Sequence, residues 1–247
     1  MTYSDIDYSL HYRRWNSTTP EFYEQQANFF SRLLSNELSK FSSDCKVLDY
    51  GCGYGLLTYF LTGKFKDVLG VDASKQQIEA GLTRDLPLLY LPVHSFPSWC
   101  DENQLSFDLI FLFDVLEHIK SEDQIFFMRK LVLLLKPGGS IYIKVPNANS
   151  LLASRWRYID WTHLSSFTEA SLDFVCLNSN LIEPKYLQDD SSLLPHLFWV
   201  PRPSILRVYL KIFLRKLWKL YLWSELGPQV KDISVGYNLF AVYCKRL

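Results

Sequence analysis

A glycine-rich segment after an apolar run sets the strongest limit on how this chain folds. Residues 47–55 read V-L-D-Y-G-C-G-Y-G, in which the apolar run ends at Asp49 and three alternating glycines precede an apolar helical pattern. Glycine lets the backbone turn sharply and approach a ligand closely because it has no Cβ. The following helix would supply unpaired N–H groups at its start. The segment therefore predicts a strand, a nucleotide-binding loop and a helix.

The acids around this loop indicate which nucleotide it binds. The dinucleotide fingerprint G-x-G-x-x-G fits poorly, because the spacing here is G-x-G-x-G. Asp49 stands two residues upstream of the first glycine, where a carboxylate would repel a pyrophosphate and hold an ammonium group. A second apolar run ends at Asp72, which is placed to accept hydrogen bonds from both ribose hydroxyls. Asp72 alone does not separate NAD from another adenosine cofactor.

Asp49 and Asp72 together resemble the S-adenosylmethionine (SAM) site of class I methyltransferases. Residues 107–119 (F-D-L-I-F-L-F-D-V-L-E-H-I) look like the fourth strand of that family and the turn after it. Residues 134–145 (L-L-K-P-G-G-S-I-Y-I-K-V) look like its helix end, turn and fifth strand. The resemblance covers roughly residues 44–189 and implies SAM as the cofactor. It assigns these residues to SAM binding: Asp49, Gly51, Gly53, Asp72 and Phe113.

The segment after the third predicted strand departs from the family pattern. Family members often carry an acid there that binds adenine N6, whereas residues 91–99 read L-P-V-H-S-F-P-S-W. Ser95 is a candidate hydrogen-bond partner of the adenine, and Phe96 is a candidate for stacking on it. The alternative is that these residues only build a loop.

Strand-like and helix-like segments alternate through the chain, which predicts a mostly parallel sheet covered by helices on both faces. The expected fold class is α/β, a Rossmann-like class I methyltransferase fold with seven strands. Predicted strands are residues 46–50, 68–72, 88–93, 108–113, 140–145, 181–188 and 235–245. Predicted helices are residues 18–41, 55–62, 74–82, 122–135 and 168–178. Ligands bind beyond the carboxyl ends of such strands, where this alignment puts Asp49, Asp72, Asp114 and Asn147.

The length suits one domain with additions. An N-terminal cap and helix would occupy residues 1–43, and a SAM-binding core residues 44–190, with a substrate lid at 147–167. A basic helical insertion would occupy residues 191–234, and the final strand residues 235–247.

Charge and cysteine content limit the partners and the compartment. Lys and Arg together number 26, as do Asp and Glu, so the whole molecule has no electrostatic bias toward nucleic acid. The five cysteines form no C-x-x-C pair, which indicates neither a zinc site nor a disulfide framework and favours a reducing cytoplasm. Residues 1–5 lack the basic start and apolar core of a signal peptide.

Asp114, Glu117 and His118 are spaced i, i+3 and i+4, so they share one face if residues 114–119 form one helical turn. The D-x-x-E-H arrangement is similar to the E-x-x-E-H cluster of ubiquinone-pathway O-methyltransferases, where it is a divalent-metal site. Two carboxylates and an imidazole suit such a cation. A metal is possible but not expected, because V-L-E-H also occurs in metal-free relatives. His118 is alternatively a general base or a substrate ligand.

The segment after the fifth strand is the most distinctive. Residues 157–168 (R-Y-I-D-W-T-H-L-S-S-F-T) look like a methyltransferase subgroup of polysaccharide and O-antigen biosynthesis, in which this region covers the acceptor pocket. Asp160 and His163 could share a proton and form a base tuned near neutrality. Alternatively, both residues cap the helix at Thr168 and brace the lid. Aromatic side chains suit sugar rings and arginines suit an acidic sugar or a phosphate; the substrate candidates are Asn147, Arg155, Trp156, Arg157, Tyr158 and Trp161.

A basic amphipathic helix is predicted over residues 204–223, with Ser204 as its cap. Basic residues recur at every fourth position, and apolar and aromatic residues occupy the other side: Arg207, Lys211, Arg215 and Lys219 form the basic set. Charged residues interrupt the segment too often for a helix that spans a membrane. The pattern is typical of a helix lying in a membrane interface, here on the inner face. Packing on the protein itself, or on a twin subunit in a homodimer, is the alternative.

Three function classes fit these observations. The first is SAM-dependent O-methylation of a small-molecule or glycan acceptor, namely a sugar of a cell-surface polysaccharide or of its lipid-linked or nucleotide-linked precursor. N-methylation of an amino sugar stays open beside it. The second is O-methylation of a quinone or another small lipophile. The third is a SAM-binding module without catalysis, against which the intact glycine loop with Asp49 and Asp72 argues.

Overall fold

A computed structural model of the protein describes residues 17–187 and 202–246. Residues 1–16 of the predicted cap, residues 188–201 of the predicted core end and insertion, and Leu247 lie outside the described residues.

The described chain forms a seven-stranded sheet in the order β3-β2-β1-β4-β5-β7-β6. All pairings are parallel except those of β7, which runs antiparallel to both neighbours. The predicted class I methyltransferase fold is therefore confirmed. The strands are β1 (Lys46–Tyr50), β2 (Asp67–Asp72), β3 (Leu88–Tyr90), β4 (Phe107–Phe113), β5 (Leu135–Pro146), β6 (Leu181–Leu187) and β7 (Asn238–Lys245).

Helices cover both faces of the sheet. They are α1 (Pro20–Leu38), α2 (Leu56–Thr62), α3 (Lys75–Leu82), α4 (Phe96–Glu102), α5 (Ser121–Leu133), α6 (Ala153–Ile159), α7 (Glu169–Leu177) and α8 (Arg202–Leu226). Short 3₁₀ turns occupy Val93–Ser95, Leu116–His118 and Gly227–Asp232.

Three helices differ from the sequence prediction, and one of them is α6, which is not among the predicted helices. The described part of helix α8 starts at Arg202, so Ser204 lies within the helix and the predicted Ser204 cap is wrong. Helix α4 was not predicted at all. Pro97 stands in its first turn, which is the position where proline favours a helix start.

The core lies on both sides of β4, whose residues alternate between the two faces. Ile110 and Leu112 belong to the cluster that packs under α5 and α7. Leu109 and Phe111 belong to the cluster under α1 and α2, where the Phe111 and Tyr142 rings stack 4.9 Å apart. A central parallel strand must be apolar on both faces because helices cover both. This packing fixes the carboxyl ends of the strands, where the candidate site lies.

Candidate active site

The glycine loop after β1 adopts a conformation that requires glycine. Gly51, Gly53 and Gly55 have φ values of +81°, +55° and +79°. A Cβ on Gly51 would lie 2.1 Å from Cγ2 of Val115, and one on Gly53 would lie 2.5 Å from Oε1 of Gln77. The loop therefore brings its backbone close to neighbouring groups, as a nucleotide-binding loop needs.

The two acids of the predicted cofactor site lie beside this loop. Asp72 accepts hydrogen bonds from the backbone N–H of Gly53 (2.8 Å) and of Ser74 (2.7 Å), and so ties the ends of β1 and β2 together. Asp49 is buried and accepts a 2.6 Å hydrogen bond from Oγ1 of Thr58. Burial raises the pKa of Asp49 to about 7, with the charge of Asp72 adding to the effect and Thr58 opposing it. A buried carboxyl of this kind gains most from a cationic ligand, which fits the ammonium group of SAM.

The side chains expected near adenine are arranged differently. Ser95 ends a 3₁₀ turn, and its carbonyl oxygen accepts a hydrogen bond from the Ser98 hydroxyl at 3.0 Å. Phe96 is buried and stacks on Phe127 with ring centroids 4.9 Å apart, so its ring packs in the core, and its stacking on adenine stays a prediction. The side chain of Phe113 packs in the core, and its role at the cofactor stays a prediction.

Asp114 does not join Glu117 and His118 on one helical face. Its φ is +56°, and only the short 3₁₀ turn Leu116–His118 follows it. Oδ2 of Asp114 lies 2.5 Å from Nζ of Lys144, on the neighbouring strand. The left-handed backbone at Asp114 turns its carboxylate toward β5, so the predicted grouping of these three residues is wrong.

His163, from the lid, takes the position expected for Asp114. One ligand atom each of Glu117, His118 and His163 lies within 4.8 Å of the other two, and the imidazole centroids are 4.7 Å apart. These three groups could hold a cation. Sequence reasoning found each residue but missed this grouping, because residues 118 and 163 come together only through the fold of the lid.

Hydrogen bonds fix which nitrogen of each histidine carries hydrogen. Nδ1 of His163 lies 2.8 Å from the carbonyl oxygen of Trp156, which can only accept, so this nitrogen donates. Thr162 donates its one hydroxyl hydrogen to Oδ1 of Asp160 at 2.6 Å. Nδ1 of His118, 2.9 Å from the same hydroxyl oxygen, must therefore donate. In the neutral rings, the lone pair of both histidines is on Nε2.

Asp160 supports His118 through Thr162 rather than sharing a proton with His163 directly. The backbone N–H of Thr162 also donates to Oδ1 of Asp160 at 2.8 Å, and this local turn directs the carboxylate toward Thr162. Burial raises the pKa of Asp160, but the Thr162 hydrogen bonds outweigh it and lower that pKa overall. The alternative role as a helix cap is also wrong, because Thr168 and Ser171 form the capping box of α7 themselves.

The side chain of Glu117 lies beside the histidine pair. It is fully buried, and among the described residues neither carboxyl oxygen has a hydrogen-bond partner. Oε1 lies 3.9 Å from Nε2 of His163. Burial raises the pKa of Glu117 well above its ordinary value. Burial also lowers the pKa of His118 to about 4, so this imidazole is neutral at physiological pH and a weaker base than an exposed histidine.

The remaining lid candidates lie apart from the histidines. The side-chain amide of Asn147 braces the lid, donating to the carbonyl oxygens of Ser234 (2.9 Å) and Gly236 (3.0 Å). Arg155 is exposed. The guanidinium of Arg157 lies 5.1 Å from the ring centroid of Tyr158. Tyr158 and Trp161 are 76% and 95% exposed, so neither side chain is part of the enclosed histidine cluster.

Known proteins resemble this chain at several levels. A family model described as a methyltransferase domain matches residues 22–181. A ubiquinone biosynthesis O-methyltransferase of Aliivibrio fischeri is 29% identical over 108 residues, which are 42% of this chain and 45% of that protein. The Idiomarina loihiensis protein of the same name is 30% identical over 112 residues, which are 42% of this chain and 43% of that protein. The chain thus spans less than half the length of these relatives.

Solved structures extend the likeness to the whole fold. A SAM-dependent methyltransferase from Archaeoglobus fulgidus superposes with a TM-score of 0.64 at 17% identity, covering 98% of this chain and 100% of that chain. Phosphoethanolamine N-methyltransferase 2 of Haemonchus contortus, in complex with SAM, gives a TM-score of 0.55 at 17% identity, covering 97% of this chain and 56% of that chain. Since the family model spans well over half of the sequence, the protein belongs to the methyltransferase-domain family.

Proposed function

We propose that the enzyme O-methylates a sugar of a cell-surface polysaccharide or of its lipid-linked or nucleotide-linked precursor. The observation that carries the proposal is the pair of imidazoles, His118 and His163, each with its lone pair on Nε2 and each held by a lid residue. Residues 157–168 look like the corresponding segment of polysaccharide-modifying methyltransferases, and this resemblance supports a sugar as the acceptor.

The reaction requires little from the protein beyond positioning the acceptor next to the methyl donor and removing one proton from it. Bound SAM would supply the methyl group as an electrophile and would leave as S-adenosylhomocysteine. Asp49 would hold the cationic end of the cofactor, and Asp72 would hold the ribose hydroxyls. As the acceptor oxygen gains the methyl group, its proton passes to Nε2 of His163 or His118. A protonated His163 would face Oε1 of the Glu117 carboxyl group, 3.9 Å from its Nε2.

A quinone or a similar lipophile is the second candidate acceptor. It is supported by the likeness to ubiquinone biosynthesis O-methyltransferases, which covers 42% of this chain. Under this alternative, Glu117, His118 and His163 would hold a divalent cation next to a catechol.

One experiment separates the candidate acceptors. The full chain is incubated with methyl-labelled SAM and, in parallel, with nucleotide sugars, lipid-linked glycans and catechols. Label in a glycan supports the proposal. Label in a catechol alone overturns it in favour of the quinone class. SAM binding without transfer to any acceptor would indicate a binding module.

We also propose that the outer face of α8 lies on an anionic membrane surface. No helix in the described parts of the chain is long and apolar enough to cross a bilayer. The outward side chains of α8 are nevertheless exposed and apolar: Leu206, Tyr209, Leu210, Phe213, Leu214, Leu217, Leu220, Tyr221 and Trp223. Arg207 and Lys216 are exposed on the same helix, and the sequence has no acid from residue 202 to 224. Apolar contact flanked by positive charge favours anionic lipid over a second subunit.

The basic residues of α8 do not form the single lipid-facing set that the sequence suggests. Lys211 and Arg215 lie against Tyr237 on the inner side of the helix, and Lys219 is half-buried. Membrane contact would therefore depend mainly on the apolar face, with Arg207 and Lys216 adding attraction.

A further inference from the structure

The peptide group between Tyr54 and Gly55, in the glycine loop, is held at both of its polar ends. The N–H of Gly55 donates to the carbonyl oxygen of Cys52 at 2.8 Å, which closes a tight turn. The carbonyl oxygen of Tyr54 accepts a hydrogen bond from the buried hydroxyl of Tyr23, in the first turn of α1. Gly53 and Gly55, on either side of Tyr54, have positive φ values, a region that glycine enters at little cost. The bond from Tyr23 therefore restrains a peptide group whose glycine neighbours permit several conformations.

Helix α3 also approaches this carbonyl group. A Cβ on Gly81 would lie 2.7 Å from the carbonyl oxygen of Tyr54 and 3.1 Å from its carbonyl carbon. These distances are shorter than van der Waals contact, so only glycine allows the helix to come this close. The carbonyl group of Tyr54 thus contacts both α1 and α3.

Arg84, two residues after α3, joins that helix to α1. Its Nε donates to the carbonyl oxygen of Thr18 at 3.1 Å, and its Nη2 donates to the same oxygen. Its Cζ lies 5.1 Å from the centroid of the Tyr23 ring. Burial raises the pKa of the Tyr23 hydroxyl, and Arg84 opposes this effect, so the hydroxyl keeps its proton and stays a donor. These contacts hold the Tyr23 ring in place for its bond to the glycine loop.

The loop position that Tyr23 holds adjoins the ribose end of the predicted cofactor site. Gly53, next to Tyr54, donates its N–H to Oδ2 of Asp72 at 2.8 Å. The N–H of Ser74 donates to the other oxygen, Oδ1, at 2.7 Å. A rotation of the Tyr54 peptide group would move Gly53 and with it the carboxylate that Gly53 orients. The direction of Asp72, which the family resemblance assigns to the ribose hydroxyls, therefore depends on the conformation of the loop.

We propose that Tyr23 is a positioning residue for the cofactor and acts through Tyr54, Gly53 and Asp72. The inference rests on SAM as the methyl donor of the proposed function. Tyr23 does not contact the reacting atoms in this assignment. Its hydroxyl keeps the glycine loop in the conformation that directs Asp72 at the ribose. Helix α1 is then part of the cofactor site, although the glycine-rich motif follows it in the sequence.

The test is a double-mutant cycle on the full chain, in which calorimetry measures the affinity for SAM and for 5′-methylthioadenosine. The second ligand lacks the amino-acid part of SAM. Tyr23→Phe keeps the ring and removes only the hydroxyl, so both ligands should bind about fivefold more weakly, within the usual effect of one hydrogen bond. In an Asp72→Ala background, Tyr23→Phe should change either affinity less than about twofold, because the residue through which it acts is absent. Asp49→Asn should weaken the binding of SAM alone.

Tyr59→Phe is the matched control. The Tyr59 ring packs edge to face on the Tyr23 ring with centroids 5.5 Å apart, and its hydroxyl donates to the exposed carboxylate of Glu24. This variant should change either affinity less than about twofold, the usual range for a surface substitution. Arg84→Gln keeps the Tyr23 hydroxyl but releases the ring and Thr18, so it should weaken both ligands about twofold or more. If thermal unfolding shows that Tyr23→Phe does not fold, the cycle of Arg84→Gln with Asp72→Ala decides.

A loss of affinity in Tyr23→Phe that disappears in the Asp72→Ala background supports the inference. Additive losses overturn it and leave the proposed function intact, because a residue that only stabilises the fold would act independently of Asp72. Equal losses in Tyr23→Phe and Tyr59→Phe overturn it as well. A wild-type chain that binds neither ligand overturns the proposed function and this inference together.

Discussion

Thr162 decides which nitrogen of His118 carries hydrogen. Its hydroxyl oxygen lies 2.9 Å from Nδ1 of His118 and donates to Asp160 at 2.6 Å, so Nδ1 must donate to it. This relationship keeps the lone pair on Nε2 of a ring whose pKa burial lowers to about 4. A threonine between an acid and a histidine therefore does what a direct acid–histidine contact does in other sites.

Replacing Thr162 by Val should lower turnover by roughly tenfold to a hundredfold, because His118 loses the acceptor that fixes its tautomer. SAM affinity should not change. Thr162→Ser keeps the hydroxyl and should restore most of the turnover. The measurement is single-turnover methyl transfer beside a SAM titration. Equal rates in the Val and wild-type enzymes would exclude His118 as a group that acts on the acceptor.

His163→Gln should lower turnover about a hundredfold if its Nε2 takes the acceptor proton. Dialysis against a chelator should leave the wild-type rate unchanged, since the imidazoles themselves then accept the proton. Loss of the rate on chelation and its recovery with Mg²⁺ would contradict this role. It would assign Glu117, His118 and His163 to a metal ion, as the quinone alternative requires.

SAM affinity should rise with pH up to about pH 7 and then level off. The reason is that burial raises the pKa of Asp49 to about 7, and the cationic cofactor needs the ionised carboxylate. Below that pH the affinity should fall by up to about tenfold per unit, as for any single proton that binding must release. Calorimetry from pH 5.5 to 8.5 measures it. Asp49→Asn should bind SAM weakly at every pH, and a pH slope that persists in this variant would contradict the assignment.

The same carboxyl affects stability in the opposite direction. Its folded pKa lies above its ordinary value of 3.8, so the folded state binds the proton more tightly than the unfolded state. The free energy of unfolding should therefore fall as pH rises from about 4 to 7. SAM should reverse part of this loss, because it binds the folded, ionised form.

Gly51→Ala should abolish SAM binding and destabilise the fold. The added Cβ would lie 2.1 Å from Cγ2 of Val115, at a φ of +81°. Gly227 provides the matched control, because it also has a positive φ (+61°) but has no atom within 4 Å of an added Cβ. Gly227→Ala should cost only the backbone term of about 1–2 kcal/mol. Thermal unfolding with and without SAM measures the stability and the SAM binding of both variants. Equal losses of stability in the two variants would show that the close contact at Gly51 is unimportant.

Phe213→Ser should weaken binding to anionic liposomes, because it removes an exposed apolar group from the outer face of α8. Burying such a side chain contributes about 1.5–3 kcal/mol, so roughly a tenfold loss or more is expected. Phe126→Ser on α5 is the control, since both phenylalanines are 56% exposed. Co-sedimentation at rising salt measures the effect. If the wild type ignores liposomes and Phe213→Ser converts a dimer to a monomer, α8 is a subunit interface.

The sequence alone determined the fold and the placement of Asp49, the glycines and Asp72 at the carboxyl ends of β1 and β2. The spacing of Asp49, the glycines and Asp72 is local, because each acid follows directly on its own apolar strand. The apolar residues of a buried parallel strand determine where that strand lies in the sheet. The residue that follows the strand therefore lies at the carboxyl edge of the sheet, where ligands bind. The helix and strand pattern therefore sufficed to place these residues.

Only the tertiary structure shows that Glu117, His118 and His163 lie together. The same holds for the position of Lys211 and Arg215 against Tyr237. Asp114 turns away toward Lys144 because its φ is +56°, which spacing along the sequence does not reveal. His163 reaches Glu117 only after the lid folds across the end of β4. Periodicity likewise predicted a basic face on α8, but the ring of Tyr237 decides that Arg215 lies inward. Contacts between residues distant in sequence depend on packing and side-chain direction, and these arise only when the whole chain is folded.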